Sequence, residues 1–380
     1  MDDKSLIIIG ASARAAAGSA WRAGYSPYWL DQFGDEDLRR RFPGQNITDY
    51  PQQATALIEQ APAAPFIYTG AMENYPEVLA ALCRRRRLLG NPAQICLNAR
   101  DPFRLHDLFE QSRIPGPEVR ADTRAGIDPH TWLVKPLRSA GGAGIRFCQE
   151  ADIGSGIGPD SDMGSGMGSK PGRDCYLQQY LPGDSYSAVF VGTRDGSRLL
   201  GVTRQLVGVP EFHAPQFGYC GSIGPVELTT AERQQWERIG AVLVAEFQLR
   251  GLFGVDAIRH DGRVHPVEVN PRYTASVEAL ELALEVRALQ LHRQACAGQP
   301  LEATGQRPRR LIGKAILYAP ADLVFKAVPP RGFSSADIPP QGAYIKQGHP
   351  VLTIIVSGTA LDAINQKLKQ AAGYIMQGIQ

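Results

Sequence analysis

Two stretches in the middle of the chain hold the residues best suited to chemistry. The first is Gly254-Val255-Asp256-Ala257-Ile258, followed by His265-Pro266-Val267-Glu268-Val269-Asn270-Pro271-Arg272. Both segments read as strands, and Asp261-Gly262 between them is a hairpin turn pair. A hairpin folds residues 256 and 268 back beside each other. Glu268 and Asn270 are two apart, so they share one face of their strand. Two carboxylates and an amide oxygen then converge. Hard oxygen donors in that number suit Mg²⁺, which takes one or two carboxylates and completes its shell with substrate phosphates. Mn²⁺ is the alternative ion for such a set. Arg272 extends the same face and can hold negative charge developing on a transferred phosphoryl or tetrahedral centre. An ordinary hairpin with solvated acids is the plain alternative, and it leaves Asn-Pro-Arg at the strand end unexplained.

The second stretch is Trp132-Leu133-Val134-Lys135-Pro136, a strand with a lysine near its end. Ser139-Ala140-Gly141-Gly142-Ala143-Gly144-Ile145 follows it and leads back into a strand. A lysine can pair with phosphate. Ser139 and the small residues Gly141, Gly142 and Gly144 let backbone N–H groups approach phosphate oxygens. Taken alone, such a loop is equally a plain turn. It is not a Walker loop, because the chain contains no G-x-x-x-x-G-K-[ST]. Two single residues are weaker candidates. Glu278 can bind or deprotonate an attacking amine, or be a solvated acid favoured by a helix N-terminus. Arg204 can contact a phosphate or a carboxylate, or be a plain strand residue.

These residues need a framework. Ser5 to Ile9 is a continuous apolar run closed by Gly10, which reads as a strand buried on both faces. A helix follows over Ala11 to Ala23, ended by Gly24. Strands are expected at Tyr28-Trp29-Leu30 and Pro65 to Tyr68, which makes the first 90 residues an open α/β domain. Gly10-Ala11-Ser12-Ala13-Arg14-Ala15 with Asp31 also has the look of a dinucleotide site, although Ser12 and Ala15 replace two of its glycines. The spacing predicts a helix over Arg104 to Gln111. Strands are expected at Leu199 to Leu206, Gly254 to Ile258 and Val264 to Val269. A helix is expected over Ala231 to Phe247, and one long helix over Ser276 to Ala295. Leu311 to Tyr318 and Val351 to Val356 read as strands before a final amphipathic helix, Leu361 to Ile379. The Gly/Ser/Asp/Met stretch Gly154 to Gly172 cannot bury a core and is expected to be a flexible loop.

Composition limits the function classes. The 380 residues exceed one compact core, so two or three domains are expected. A formal net charge of +2 argues against a nucleic-acid partner. The run Arg84 to Arg87 follows an apolar stretch and reads as the solvated end of a helix. Six cysteines without a C-x-x-C pair fit a reducing cytoplasm. The seven histidines lack zinc-site spacing. No stretch approaches the roughly 18 apolar residues of a membrane span, and the N-terminus does not read as a signal peptide.

The Asp256 … Glu268-Val269-Asn270-Pro271-Arg272 string resembles the metal signature of ATP-grasp enzymes such as biotin carboxylase and the carboxylate–amine ligases. The resemblance spans roughly residues 5 to 295. It implies a Rossmann-like pre-ATP-grasp domain over 1–93 and an ATP-grasp fold over 94–300. Two α+β subdomains of that fold clasp ATP, with a small lid at about 130–190, and a small α/β extension occupies 301–380. It implies that Asp256, Glu268 and Asn270 bind the Mg²⁺ ions bridging the phosphates of ATP, and that the loop after Lys135 covers those phosphates. Tyr176 to Asp184 takes the hinge position, which puts Gln178, Gln179 and Leu181 at the adenine and Asp184 near the ribose. Three departures stand out. Gln178 replaces a frequent glutamate, the ribose acid usually falls one residue later at Ser185, and Pro102 stands where relatives carry a phosphate-contacting lysine, with Arg100 or Arg104 as substitutes.

The implied activity is activation of a carboxylate as an acyl phosphate and its coupling to an amine, with small-molecule acid and amine substrates. The whole chain is similar to ATP-grasp proteins of methanopterin- and methanofuran-linked one-carbon metabolism, one of which joins glutamate to tyramine. Dimers are common in the family, so a homodimer is compatible with the resemblance. A bicarbonate-activating carboxylase and a non-catalytic nucleotide-binding module are the rival readings.

Overall fold

The strand Ser5–Gly10 (β1) has three isoleucines, Ile7, Ile8 and Ile9, with no exposed surface. The reason is a layer on each face. Ile7 and Ile9 enter one core, while Leu6 and Ile8 enter another. The computed structural model describes residues 4–121, 128–152, 174–303, 310–329 and 331–379. The loop expected at Gly154 to Gly172 lies outside the described residues.

β1 is central in a parallel sheet with Ser26–Asp31 (β2), Gly44–Asn46 (β3) and Phe66–Tyr68 (β4), in the order β3-β2-β1-β4. Helices Arg14–Arg22 (α1), Glu36–Arg39 (α2), Ala54–Gln60 (α3) and Pro76–Arg85 (α4) complete this Rossmann-like domain. Gly24 closes α1 with a φ of 84°, a conformation that glycine reaches without strain. Arg84, Arg85 and Arg87 lie exposed at the end of α4, where Arg85 pairs with Glu59. The basic run is the expected solvated helix end.

Helices Ala93–Ala99 (α5) and Pro102–Gln111 (α6) lead into a small antiparallel sheet. Its strands are Val119–Arg120 (β5), Trp132–Pro136 (β6), Arg146–Phe147 (β7) and Cys175–Gln179 (β8), in the order β5-β8-β6-β7. The large antiparallel sheet is built from Asp184–Gly192 (β9), Ser197–Val207 (β10), Tyr219–Gly224 (β11), Gly251–His260 (β12) and Arg263–Asn270 (β13). Leu311–Tyr318 (β14) joins it beside β11. After the short pair Leu323–Val324 (β15) and Tyr344–Ile345 (β17), Ser334–Ala336 (β16) and Pro350–Gly358 (β18) extend it, giving β13-β12-β9-β10-β11-β14-β18-β16. The C-terminal extension therefore continues the large sheet and does not fold apart from it. Leu361–Ile379 (α10) packs on β14 and β18, and no helix among the described residues is long and apolar enough to cross a membrane.

Thr230–Phe247 (α7) covers one face of the large sheet. A capping box starts it: Thr229 accepts from the Glu232 backbone, and Glu232 reaches back. Its Trp236, Ile239 and Leu243 pack on Phe190 and Phe253, whose rings stack at 5.1 Å. The opposite face shares a core with the N-terminal domain. Leu6, Ile8 and the alanines of α1 meet Val189, Val191 and Leu252 there.

The long helix expected over Ser276 to Ala295 is two helices, Ala275–Leu284 (α8) and Ala288–Cys296 (α9). Glu285 turns left-handed with a φ of 54° and ends the first. The buried carboxylate of Glu281 then accepts from the Ala288 backbone N–H, which opens the second, and also holds Ser19 and Arg22 of α1. Tertiary bonds override a helical pattern here. Glu281→Ala strips three partners of their acceptor at once. It is expected to destabilise the chain by about 3 kcal/mol, read as a lower urea midpoint. A midpoint within error of the native chain would show that this carboxylate is not needed.

Candidate active site

The hairpin of β12 and β13 forms as its turn residues require. Asp261 and Gly262 have φ of 47° and 72°, the left-handed pair of a tight two-residue turn. Register then sets Asp256 opposite Glu268. Beyond Asp256 the pairing slips, so that Ala257 meets Pro266. A bulge accommodates a proline that has no N–H for the ladder. Asn270 Nδ2 donates to Asp256 Oδ2 at 3.1 Å, and Gln205 Nε2 donates to Oδ1 at 3.1 Å. Desolvation, and then the charge of Glu268, push the Asp256 carboxyl up to about 6. Among the described residues no three His, Cys, Asp or Glu side chains gather as a metal site. Two adjacent carboxylates and one amide, lacking a third acid, form a donor set of the kind that Mg²⁺ completes with phosphate oxygens. The like charges of the pair fit a cation between them.

Arg272 closes one end of this row. Its Nη2 donates to Asn270 Oδ1 at 3.0 Å, and its Nε pairs with Glu73 at 2.7 Å. Burial would lower its pKa, and Glu73, Glu268 and Asp256 together more than offset that. At the other side, Lys135 Nζ reaches down from β6 to Gln178 Oε1 at 3.1 Å, and Gln178 Nε2 donates to the Val267 carbonyl at 3.4 Å. Burial opposes the charge of Lys135, while Tyr176, Glu268 and Asp256 raise its pKa. The small sheet is thus tied to the carboxylate row. Gln179 alternates away, accepting from the Glu118 backbone at 3.3 Å. Leu181 is half-buried just past the crossing from β8 to β9.

The loop from Ser139 to Ile145 uses its glycines. Gly141, Gly142 and Gly144 have φ of 64°, 83° and 76°. A Cβ on Gly142 would fall 2.0 Å from the Phe217 carbonyl oxygen. The Gly141 carbonyl accepts from the Tyr219 backbone at 2.9 Å, and Ser139 O accepts from Asn74 Nδ2 at 3.2 Å. Arg100 is the cation beside this loop, its Nη2 3.5 Å from Ser139 O. Arg104 points away, toward Glu246 at 3.6 Å and the Phe247 ring. Pro102 is the first residue of α6, capped by Asp101, where a missing N–H costs nothing.

Three expected residues lie elsewhere. Asp184 and Arg204 pair with each other at 2.9 Å, and Arg259 joins them. Register puts Asp184, Tyr186 and Arg204 on the α7 face, whereas Asp256, Ser187 and Thr203 line the opposite one. Strand alternation thus separates both from the carboxylate row, and Ser185 has the parity that Asp184 lacks. Glu278 is not solvated. It is 2% exposed in the first turn of α8, where burial raises its pKa and the charges of Arg14 and Lys314 hold it well below the usual carboxylate range. A carboxylate so held takes up protons poorly. Asp31 accepts from the backbone N–H groups of Ala13 and Gly34, so the ribose-binding acid of a dinucleotide site is already used.

Glu73, Asn74 and Gln205 are candidate-site residues that the motifs did not reveal, and Arg100 is the one of the two expected substitute cations that lies beside the loop. Among the described residues, five of the eight buried side-chain polar atoms without a partner lie here: Tyr50 Oη, Glu73 Oε2, Asn74 Oδ1, Arg100 Nε and Thr274 Oγ1. Such atoms suggest a place built to receive a ligand.

Comparison with known proteins gives this geometry a family context. Over 201 residues the chain is 26% identical to an uncharacterized protein of Methanocaldococcus jannaschii. That match covers 52% of this chain and 46% of the other, so the chain spans less than half the length of that curated relative. Three solved structures share the fold at low identity. One is the biotin carboxylase domain of 2-oxoglutarate carboxylase from Hydrogenobacter thermophilus, with TM-score 0.73, 13% identity, 97% of this chain and 89% of that one. Another is N5-carboxyaminoimidazole ribonucleotide synthetase from Thermus thermophilus, with TM-score 0.69, 17% identity, 97% and 98%. The third is L-amino acid ligase from Bacillus licheniformis, with TM-score 0.68, 14% identity, 98% and 97%. Residues 99–276 match the ATP-grasp domain family, and the fold around them is an ATP-grasp fold behind a Rossmann-like domain.

Proposed function

We propose that this chain is an ATP-dependent carboxylate–amine ligase. The observation that carries the reading is the row Asp256, Glu268, Asn270 and Arg272, faced by Lys135 from the small sheet. ATP transfers its terminal phosphoryl group to a carboxylate oxygen, giving an acyl phosphate and ADP. The amine nitrogen then attacks the acyl carbon. A C–N bond forms, the C–O bond to phosphate breaks, and the amine proton leaves with phosphate or solvent. Asp256, Glu268 and the Asn270 amide oxygen would hold Mg²⁺, which would neutralise phosphate charge there. Lys135 and Arg272 supply fixed positive charge on either side of the transferred group, so positioning and electrostatics dominate. The backbone of Ser139 to Ile145 covers the phosphates and excludes water. Gln178, already linking the small sheet to β13, is the hinge residue for adenine, with Gln179 and Leu181 beside it. In this reading Glu278 keeps the substrate cleft assembled and takes no proton.

Glutamate with an aromatic amine is the substrate pair that the family resemblance puts first, as a step of methanofuran-type coenzyme assembly. The biotin carboxylase domain from Hydrogenobacter thermophilus forms a dimer, and a homodimer is part of the proposal here.

ADP release from ATP and Mg²⁺ across a panel of amino acids and amines is the direct test. Release is expected only with an acid–amine pair, and Glu268→Ala should lower it at least about 100-fold. Release driven by bicarbonate alone would instead identify a carboxylase, and nucleotide binding without release for any pair would identify a binding module. Gly142→Ala should prevent the loop from docking against Phe217, raising KM for ATP and lowering kcat by about tenfold; unchanged constants would show that the loop does not close over the nucleotide. Asp256 sets a pH dependence. Its carboxyl is raised to about 6, so protons compete with the metal below that pH. From pH 7 to pH 5 the apparent dissociation constant for Mn²⁺, followed by electron paramagnetic resonance, should rise about tenfold, and Asp256→Asn should abolish that slope.

A further inference from the structure

The turn Met72–Asn74 follows β4 in the N-terminal domain, and all three of its residues are buried. Ala71 enters it with a φ of 77°, a left-handed backbone that is costly for a residue with a Cβ. Gly70, just before, runs so close to Arg272 that a Cβ there would fall 3.4 Å from the guanidinium carbon. Asn74 fixes the far end of the turn through its bond to Ser139 O at 3.2 Å. Between these two points Glu73 Oε1 accepts from Arg272 Nε at 2.7 Å, with the two side chains 1% and 12% exposed. Glu73 Oε2 is buried and has no partner. A buried carboxylate with one oxygen unsatisfied costs stability. Its hold on Arg272 is what the position serves.

Distances join this turn to the carboxylate row. Arg272 Nη2 donates to Asn270 Oδ1 at 3.0 Å, and Asn270 Nδ2 donates to Asp256 Oδ2 at 3.1 Å. Glu268 and Asp256 both lie within electrostatic reach of the guanidinium. Two like charges side by side attract any cation near them, and a guanidinium forms paired hydrogen bonds with carboxylates. Arg272 is therefore a rival for the place of a metal ion. Its Nη1 bonds the Tyr273 carbonyl of its own neighbour at 3.2 Å, and its Nε is taken by Glu73. Only Nη2 donates into the row. Without Glu73, a buried charge is left short of a partner, and the nearest carboxylates still open to it are Asp256 and Glu268.

We propose that Glu73 is a positioning residue, which holds Arg272 at the end of the row and keeps its charge out of the place of the divalent cation between Asp256 and Glu268. The proposal rests on the cation reading of that row given above. The test is a double-mutant cycle read by Mn²⁺ binding in the presence of ADP, followed by electron paramagnetic resonance. Glu73→Ala should raise the Mn²⁺ dissociation constant about tenfold, although Glu73 is not a metal ligand. Glu73→Gln keeps an oxygen for Arg272 Nε and should raise it no more than about threefold. Arg272→Ala should bind Mn²⁺ no more weakly than the native chain. The double variant Glu73→Ala/Arg272→Ala should then match Arg272→Ala within about threefold, because the rival cation is gone. Should Glu73→Ala not fold, the cycle with Glu73→Gln carries the test with the same signs. Native affinity in the Glu73 variants, or a loss that persists in the double variant, overturns the proposal; the second result would mean that Glu73 only supports the fold. A native chain that binds no Mn²⁺ removes the cation reading along with it. The expected cycle with no ADP release for any acid–amine pair keeps the role of Glu73 and removes the ligase reading. ADP release with a flat cycle keeps the ligase and removes the role of Glu73.

Discussion

Two carboxylates held across a strand pair repel each other, and nothing in an isolated hairpin would keep them together. Asp256 and Glu268 stay adjacent because ladder hydrogen bonds on both sides of β12 fix the register. Burial first and the charge of Glu268 second raise the Asp256 carboxyl. Around the pair, every neighbour supplies positive charge or a donor. Asn270 and Gln205 donate to Asp256, Lys135 lies between the small sheet and the pair, and Arg272 stands at the end. An arrangement that concentrates negative charge and surrounds it with fixed donors is suited to a divalent cation and a polyphosphate. The remainder of the fold follows from the need to hold that arrangement rigid.

Strand alternation decides which charged residues take part. On β10, Arg204 and Gln205 are consecutive, yet one pairs with Asp184 on the α7 face and the other bonds Asp256. The same parity sends Phe190 and Phe253 into the core beneath α7, and Val189 and Leu252 into the core shared with α1. One sheet therefore has an apolar anchor and a chemical face in adjacent rows. A one-residue slip exchanges them, and the bulge between the turn and Asp256 is such a slip: it leaves Val267 unpaired and sets Glu268 opposite Asp256.

Much of this was legible in local sequence. Asp261-Gly262 specifies a turn through backbone conformation alone; that turn by itself would set Asp256 opposite Val267, and the bulge, which local sequence did not reveal, brings Glu268 opposite Asp256. The isoleucine run of β1 and the strand carrying Lys135 are equally local. What escaped the sequence depends on contacts across the chain. Glu73 meets Arg272 and Arg14 meets Glu278 only after two domains pack, and neither partner carries a motif. Gly44–Asn46 has no apolar alternation, so β3 is set by its neighbour β2. The break between α8 and α9 arises from one buried glutamate whose partners sit on α1. Strand parity is equally invisible to a family position: Asp184 faces α7 and pairs with Arg204, while Ser185, where the family's acid usually falls, has the parity of Asp256.

The N-terminal domain is therefore part of the active site and not an appendage to it. Its strand ends deliver Glu73 to Arg272, Asn74 to the glycine loop, and Arg14 to Glu278 and Asp337. Each of those contacts joins a different pair of elements, and together they link the Rossmann-like domain, the small sheet, α8 and the C-terminal strands. Movement of the small sheet against the large one would break the Asn74–Ser139 and Gly141–Tyr219 bonds together, since both lie on one loop. The Lys135–Gln178 bond would survive, because both residues ride on the small sheet. The Gln178–Val267 bond, which crosses to β13, would break with the two loop bonds.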